Sequence, residues 1–312
     1  MSAPNATPER LDLSVVLSFT KTCNFGCFFC YATYNDIDGK KLLLISEEDL
    51  FELVRQLGSR FSKVTFVGGE PTLYRRLHEL LEIATNKGAL TDVVTNGHLV
   101  DDEWISRHAP HLNFLTLSID SAHDDTNLAI GRATRAGKVV NADRYVAIAE
   151  SARKAGIGVK VNTVVNIHNN VEDLSALITQ INPIRWKILE ADFVEGQNDR
   201  FREQLRRDPE GFNAFIRRHR ATMGSTTRIV EMPVDAIHES YVVVSPDGKF
   251  IDNSTGTYLY SDPILEVGID RAREQVTFDH NKFLARDGAA DFIDATPTSV
   301  VAASPITTVE RR

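Results

Sequence analysis

Cysteine is almost missing from this chain of 312 residues: Cys23, Cys27 and Cys30 are all it has, within one eight-residue stretch. An odd count so tightly grouped excludes a disulfide framework, which needs pairs and enough chain between them to close loops. Long apolar runs are missing too. No stretch reaches the roughly 18 residues that a membrane-spanning helix needs. Residues 1–10 are polar and lack the apolar core of a secretory signal. The expectation is a cytoplasmic chain with no membrane partner, in a compartment that keeps grouped thiols reduced. Positive charge is short as well, with 35 Lys and Arg against 43 Asp and Glu and a net charge of −8. This excludes general nucleic-acid binding, which needs a broad basic surface. Any anionic ligand must then be met by a few locally placed cations. No P-loop, Ser-His-Asp arrangement or glycosidase-like carboxylate pair stands out, and His98 reads as a loop residue.

What is present is a regular alternation of apolar, strand-like and amphipathic, helix-like segments. Strands are predicted at 11–19, 64–67, 92–95, 114–120, 159–165 and 186–194. Helices are predicted from a Ser46 cap onward and at 73–87, 139–155 and 171–181. Six such units predict an α/β fold with a parallel sheet, a partial (βα)6 barrel of the triosephosphate-isomerase kind. The informative residues fall at strand ends, which favours the barrel over a doubly wound sheet. Beyond 194 come a charged helical stretch, 199–220, and a β-like segment, 240–251, that turns at Pro246-Asp247-Gly248. The expected division is a disordered tail at 1–11, the barrel at 12–222, a C-terminal extension at 223–292 and a disordered tail at 293–312.

Three soft thiolates at close range point to a metal or cluster site. Zinc takes four closed ligands, or three and a water. An iron–sulfur cube usually takes four cysteines, so three would leave one iron open. The residues favour iron–sulfur and leave zinc, or a chance grouping of structural thiols, open. After the second strand comes Gly68-Gly69-Glu70-Pro71, where two glycines permit close approach of a ligand and Glu70 can accept from an ammonium. Lys63, Lys160, Arg185 and Lys187 stand near strand ends expected to converge on one barrel mouth. Arg185 and Lys187 are two apart and share a face, with Trp186 opposite. A lone lysine is more often a solvated surface residue. Four cations together in an acidic protein call for a strong anion such as a triphosphate.

The spacing C-x3-C-x2-C, with Phe29 before the last cysteine, resembles the signature of the radical S-adenosylmethionine superfamily. That resemblance implies a 4Fe–4S cluster on Cys23, Cys27 and Cys30, and S-adenosylmethionine chelated to its open iron. It also implies that Gly68, Gly69 and Glu70 hold the cofactor's amino group. Over about residues 17–284 the chain is similar to the viperin-like family. The carrying pieces are Thr20-Lys21-Thr22-Cys23-Asn24, Lys63, Thr95-Asn96-Gly97, Ser118-Ile119-Asp120-Ser121, Ile130-Gly131-Arg132, Lys160-Val161-Asn162 and Val194-Glu195-Gly196. The most specific is Asn182-Pro183-Ile184-Arg185-Trp186-Lys187. The resemblance implies a barrel of the radical SAM type whose extension closes the nucleotide site. It implies an enzyme that abstracts the ribose 4′ hydrogen with a 5′-deoxyadenosyl radical. The product would be a 3′-deoxy-3′,4′-didehydro nucleoside triphosphate, a chain terminator in antiviral defence. Lys63, Lys160, Asn162, Arg185 and Lys187 would bind nucleotide. Phe29, Asn96, Ser118 and Arg132 would line the cofactor, and Tyr241 would act in the final quenching step. An external electron donor and a monomer are expected.

The chain also departs from the vertebrate members. It has only about ten residues before its first strand, where they carry an amphipathic membrane helix, and it ends in Val309-Glu310-Arg311-Arg312 rather than a tryptophan. Asn253-Ser254-Thr255 stands where they have Asn-Cys-Arg. Replacing a cationic donor with two hydroxyls, each able to donate or accept, favours UTP over CTP.

Overall fold

A computed structural model describes residues 10–38, 41–223 and 227–293. The tails expected at the two ends fall largely outside these residues. Eight strands run parallel in one sheet: β1 (Leu11–Ser18), β2 (Phe61–Val67), β3 (Leu90–Thr95), β4 (Phe114–Ser118), β5 (Gly158–Val165), β6 (Arg185–Glu190), β7 (Ile229–Met232) and β8 (Val242–Val244). Their order is β8-β1-β2-β3-β4-β5-β6-β7. Two further strands, β9 (Phe250–Asp252) and β10 (Leu259–Tyr260), extend the β8 edge antiparallel. Among the described residues no ladder joins β7 to β8, so the barrel is open along that seam. The six expected units are β1 to β6. The extension adds β7, whose four residues were too short to show a period in the sequence, and β8, which with β9 forms the β-like segment expected at 240–251 around the Pro246-Asp247-Gly248 turn.

The helices are α1 (Glu47–Arg60), α2 (Leu77–Asn86), α3 (Asp102–His108), α4 (Asp124–Ala129), α5 (Ala142–Lys154), α6 (Ser175–Ile181) and α7 (Pro209–Met223), with short turns between and after them. Ser46 caps α1 as expected, its hydroxyl accepting from Asp49 N at 3.0 Å. Leu50, Leu53, Val54 and Leu57 of α1 are buried in the main core. The single helix expected over 73–87 is divided. Pro71–Leu73 forms a 3₁₀ turn, Tyr74 is extended, and α2 starts at Leu77. None of the described helices is long and apolar enough to cross a membrane.

Two-residue alternation sorts the strand side chains. On β1, Leu13, Val15 and Leu17 join the apolar core, while Ser14 and Val16 line an interior cavity. On β2, Val64 and Phe66 join the core, and Lys63, Thr65 and Val67 line the cavity. Trp186 of β6 is fully buried in the core, while Arg185 and Lys187 line the cavity. Apolar residues thus glue the sheet to its helices, and the barrel interior is left polar and open.

Candidate active site

The cavity has a volume of about 310 Å³ and runs along the barrel interior. At the C-terminal ends of the strands it is bordered by the thiol loop that follows β1. Cys23, Cys27 and Cys30 are unpaired, and all three line the cavity. Backbone hydrogen bonds lace this loop to the segment after α4: Gly26 N to Gly131 O at 3.0 Å and Phe28 N to Ile130 O at 3.2 Å.

Gly68 and Gly69 also line the cavity, but their local role is packing against backbone. Gly69 N donates to Thr20 O at 2.6 Å and Glu70 N to Thr22 O at 2.9 Å. A methyl on Gly68 would meet the Thr20 carbonyl, and one on Gly69 the Thr22 carbonyl. The glycines therefore let the exit of β2 lie directly on the stretch that leads into Cys23. The Glu70 side chain is buried. It accepts from Thr72 N at 3.1 Å, Thr72 Oγ1 at 2.7 Å, Thr95 Oγ1 at 2.6 Å and Asn96 N at 2.8 Å, tying the ends of β2 and β3 together.

Asn96, Ser118, Arg132 and Phe29 line the same end. Asn96 Nδ2 donates to Asn24 Oδ1 at 2.8 Å. Arg132 is ion-paired with buried Asp120 at 3.0 Å, bonds the Ser118 carbonyl and places Nη1 3.8 Å from Cys27 Sγ. Burial works against the Arg132 charge, but Asp120 and Cys27 raise its pKa well above the ordinary value. Two supporting residues escaped the sequence reading. Asp120 was quoted only as part of a motif, and Tyr145 of α5 brings its hydroxyl within 3.1 Å of Asn96 O and 3.2 Å of Ser118 O.

The cations lie at the other end. Lys63, Lys160, Arg185 and Lys187 occupy the first three positions of their strands, not the C-terminal ends. In a parallel sheet all strand starts share one end, so the four do converge, but below the thiol loop rather than beside it. From Lys63 to Gly68 is five residues, roughly 16 Å at about 3.3 Å per residue. Lys63 and Arg185 directly precede a predicted strand and Lys160 and Lys187 are the second residue of one, and that was the signal available in the sequence. Lys63, Arg185, Lys187 and Asn162 line the cavity. Lys160 lies behind the lining, 1% exposed, paired with Asp92 at 3.0 Å and Asp291 at 2.7 Å. Burial pushes its ammonium down to about 7, against the opposing pull of Asp92.

Lys187 donates to Tyr241 OH at 2.9 Å, and Arg286 covers the Tyr241 ring at 3.5 Å. Arg286 was not foreseen. It is a buried fifth cation at this end, on the cavity wall, and its Nη2 has no hydrogen-bond partner among the described residues. Of the three residues expected to read the base, Asn253 lines the cavity and Ser254 and Thr255 do not. The Ser254 hydroxyl turns back to Asp252 Oδ1 at 2.6 Å, and Thr255 is exposed. Asn253 Oδ1 accepts from Glu239 N at 2.9 Å. His238, also on the wall, is bonded to Asp192 at 2.9 Å.

A barrel of parallel strands with three free thiols at its C-terminal mouth defines the class, and comparison agrees: the Radical SAM superfamily profile matches residues 17–181. The chain is 36% identical over 282 residues to an S-adenosylmethionine-dependent nucleotide dehydratase of Flammeovirga pacifica, covering 88% of this chain and 94% of that one. It is 36% identical to one of Lacinutrix mariniflava over 88% of this chain, and spans 58% of that relative's length. Against the dehydratase RSAD2 of Oncorhynchus mykiss it is 30% identical, with coverages of 92% and 82%. The chain belongs to the family of S-adenosylmethionine-dependent nucleotide dehydratases within the radical SAM superfamily. The structure of native anSMEcpe with bound AdoMet shares the fold, with a TM-score of 0.61 at 16% identity over 88% of this chain and 82% of that one.

Membership of the superfamily implies a 4Fe–4S cluster and S-adenosylmethionine, and the residues present fit them. Burial pushes the thiols of Cys27 and Cys30 up, Cys30 to about 12, so as thiolates they need a cationic partner that irons supply. Among the described residues no three His, Cys, Asp or Glu side chains converge on one ion position.

Proposed function

We propose that this chain is a radical SAM nucleotide dehydratase, converting a nucleoside triphosphate to its 3′-deoxy-3′,4′-didehydro form with loss of the 3′-hydroxyl as water. One observation carries the reading: a single cavity joins two chemistries, with thiols and the Gly68-Gly69-Glu70 turn at the strand ends and a set of cations roughly 16 Å away at the strand starts. Cys23, Cys27 and Cys30 would hold the cluster, with Phe29, Gly68, Gly69, Glu70, Asn96, Ser118 and Arg132 around S-adenosylmethionine. Together these groups, when bound, supply the one-electron chemistry that yields a 5′-deoxyadenosyl radical, drawing on an external one-electron donor.

The chain's own residues bind and orient. Lys63, Arg185, Lys187 and Arg286, with Lys160 behind them, take the polyphosphate; Arg presents a planar fork and Lys a point charge. Asn162, on the same wall one turn of the pleat above Lys160, faces the sugar. Anchoring the phosphates at the strand starts leaves the ribose between them and the thiol end, with its 4′ hydrogen toward the cofactor. Such fixed geometry supplies much of the rate in reactions of this kind. Tyr241, its hydroxyl oriented by Lys187 and its ring held under Arg286, delivers hydrogen in the quenching step. The product lacks the 3′-hydroxyl that a polymerase extends, which suits antiviral defence.

UTP is the base we favour. Asn253 Oδ1 is engaged by Glu239 N, which leaves the amide N–H groups to donate, the complement of a uracil carbonyl. The test is anaerobic reconstitution with S-adenosylmethionine and dithionite, offering each nucleoside triphosphate in turn. Mass spectrometry follows 5′-deoxyadenosine and a nucleotide lighter by one water. UTP giving both products in step is the expected result. CTP giving them instead overturns the base assignment, and no triphosphate raising 5′-deoxyadenosine above background overturns the substrate.

A further inference from the structure

Beneath the cavity floor one carboxylate gathers three of the cations. Asp291 lies on the four-residue helix Ala290–Ile293, outside the barrel strands. It is ion-paired with Lys63, with Lys160 at 2.7 Å and with Arg185 at 3.4 Å, and its side chain is 6% exposed. Burial works against its charge, yet the three cations together hold it well below the usual carboxylate range. Of the other carboxylates described at this end, Asp92 belongs to β3 and is part of the wall, and Asp287 is paired with Arg228. Asp291 is different, because it arrives on a single helical turn after the barrel is complete.

Two features show what Asp291 does to the cation set. First, it takes up Lys160: the cavity is lined by Lys63, Arg185, Lys187 and Arg286, while Lys160 lies off the lining with its ammonium on Asp291 and Asp92. Second, it leaves positive charge unanswered above it. Lys187 bonds a tyrosine hydroxyl rather than a carboxylate, and buried Arg286 keeps Nη2 without a hydrogen-bond partner among the described residues. Among the described residues the five cations Lys63, Lys160, Arg185, Lys187 and Arg286 thus share two carboxylates, Asp92 and Asp291, since the third, Asp287, answers Arg228. A buried group of like charges is costly unless an anion answers it.

We propose that Asp291 is a built-in stand-in for a phosphate group, and that a ligand reaches the full cation set only by displacing it. Asp291 is then a specificity-determining residue. A triphosphate can replace one carboxylate on Lys63, Lys160 and Arg185 while also reaching Lys187 and Arg286. An orthophosphate or monophosphate trades one small anion for another and gains little. The inference rests on the phosphate reading of these cations.

The test is calorimetric binding of inorganic tripolyphosphate and of orthophosphate to the reconstituted full chain and its Asp291→Asn variant. The unsubstituted chain is also followed by hydrogen exchange over residues 287–293. Expected are tripolyphosphate binding at least tenfold tighter in Asp291→Asn, a difference of about 1.4 kcal/mol, and exchange at 287–293 that rises when tripolyphosphate binds the unsubstituted chain. Equal or weaker binding by Asp291→Asn would make Asp291 a fixed part of the site and overturn the proposal, as would exchange that stays level or falls. The exchange measurement needs no variant, so a misfolded Asp291→Asn does not spare the idea. Nucleoside triphosphates turning over while tripolyphosphate affinity ignores residue 291 sinks the displacement and keeps the dehydratase. Tighter tripolyphosphate binding with no triphosphate turned over does the reverse. Neither chain binding tripolyphosphate, with no triphosphate turned over, overturns both.

Discussion

Replacing Gly69 with alanine should destabilise the protein before any cofactor is present. The added methyl would land on the Thr22 carbonyl and within 2.8 Å of the Lys21 carbonyl carbon. These are backbone atoms, so no side chain can rotate away. Relief requires the exits of β1 and β2 to part, at the expense of the Gly69–Thr20 and Glu70–Thr22 hydrogen bonds. Two such bonds are worth about 1 kcal/mol each, and overpacking adds about 1–3 kcal/mol. A stiffer unfolded chain returns at most about 1 kcal/mol. The net loss is therefore about 2–5 kcal/mol, or a Tm lower by roughly 3–8 °C for a chain of this size. Thermal unfolding of the cluster-free protein reads this directly, and iron content after reconstitution should fall with it, since the parted segment leads into Cys23. A variant that melts within about 2 °C of the parent yet no longer binds S-adenosylmethionine would refute the reasoning. It would show that Gly69 serves ligand approach rather than backbone packing.

Three other outcomes follow from the same geometry. Glu70→Gln places an N–H group among the four donors that the carboxylate now satisfies, and should lower stability by about 2–3 kcal/mol in denaturant titration of the cluster-free chain; a change under about 0.5 kcal/mol would contradict the tie it makes between β2 and β3. Asp120→Asn leaves Arg132 buried without its partner and should lose about 3–5 kcal/mol, part of which Arg132→Met in the same chain restores. A double variant no more stable than Asp120→Asn alone would count against the pair. The Asp192 hydrogen bond raises the His238 pKa above its ordinary value. Its stabilisation is then complete below about pH 6.5 and is lost as pH rises through the raised folded value. The parent's Tm should fall from about pH 6 to about pH 8 more steeply than that of His238→Asn, and parallel profiles would dismiss the coupling.

Much of the site could be read from local pattern. Three thiols in eight residues need no fold to be noticed, and a two-residue period is enough to put Arg185 and Lys187 on one face with Trp186 on the other. Asn182-Pro183 is equally local. Asn182 takes the left-handed conformation that closes α6, at φ 47°, and Pro183 keeps the helix from continuing into β6. The place of the cations along the barrel was recoverable but misjudged. Numbering alone puts Lys63, Lys160 and Arg185 at strand starts, opposite the ends that carry Gly68 and Asn96.

Sequence by itself determined the strand–helix alternation, the grouped thiols and the cation set, because each depends on spacing along the chain. Tertiary structure decided what those residues meet. Gly69 turns out to serve the backbone of Thr20 and Thr22, Ser254 turns away from the cavity, and Arg286 and Asp291 arrive at the cations from more than a hundred residues beyond Lys160. No periodicity marks Asp291, one of three aspartates in 287–294, as the partner of Lys63. That pairing exists only because a parallel barrel collects its strand starts at one end, where the last described helical turn returns to cover them.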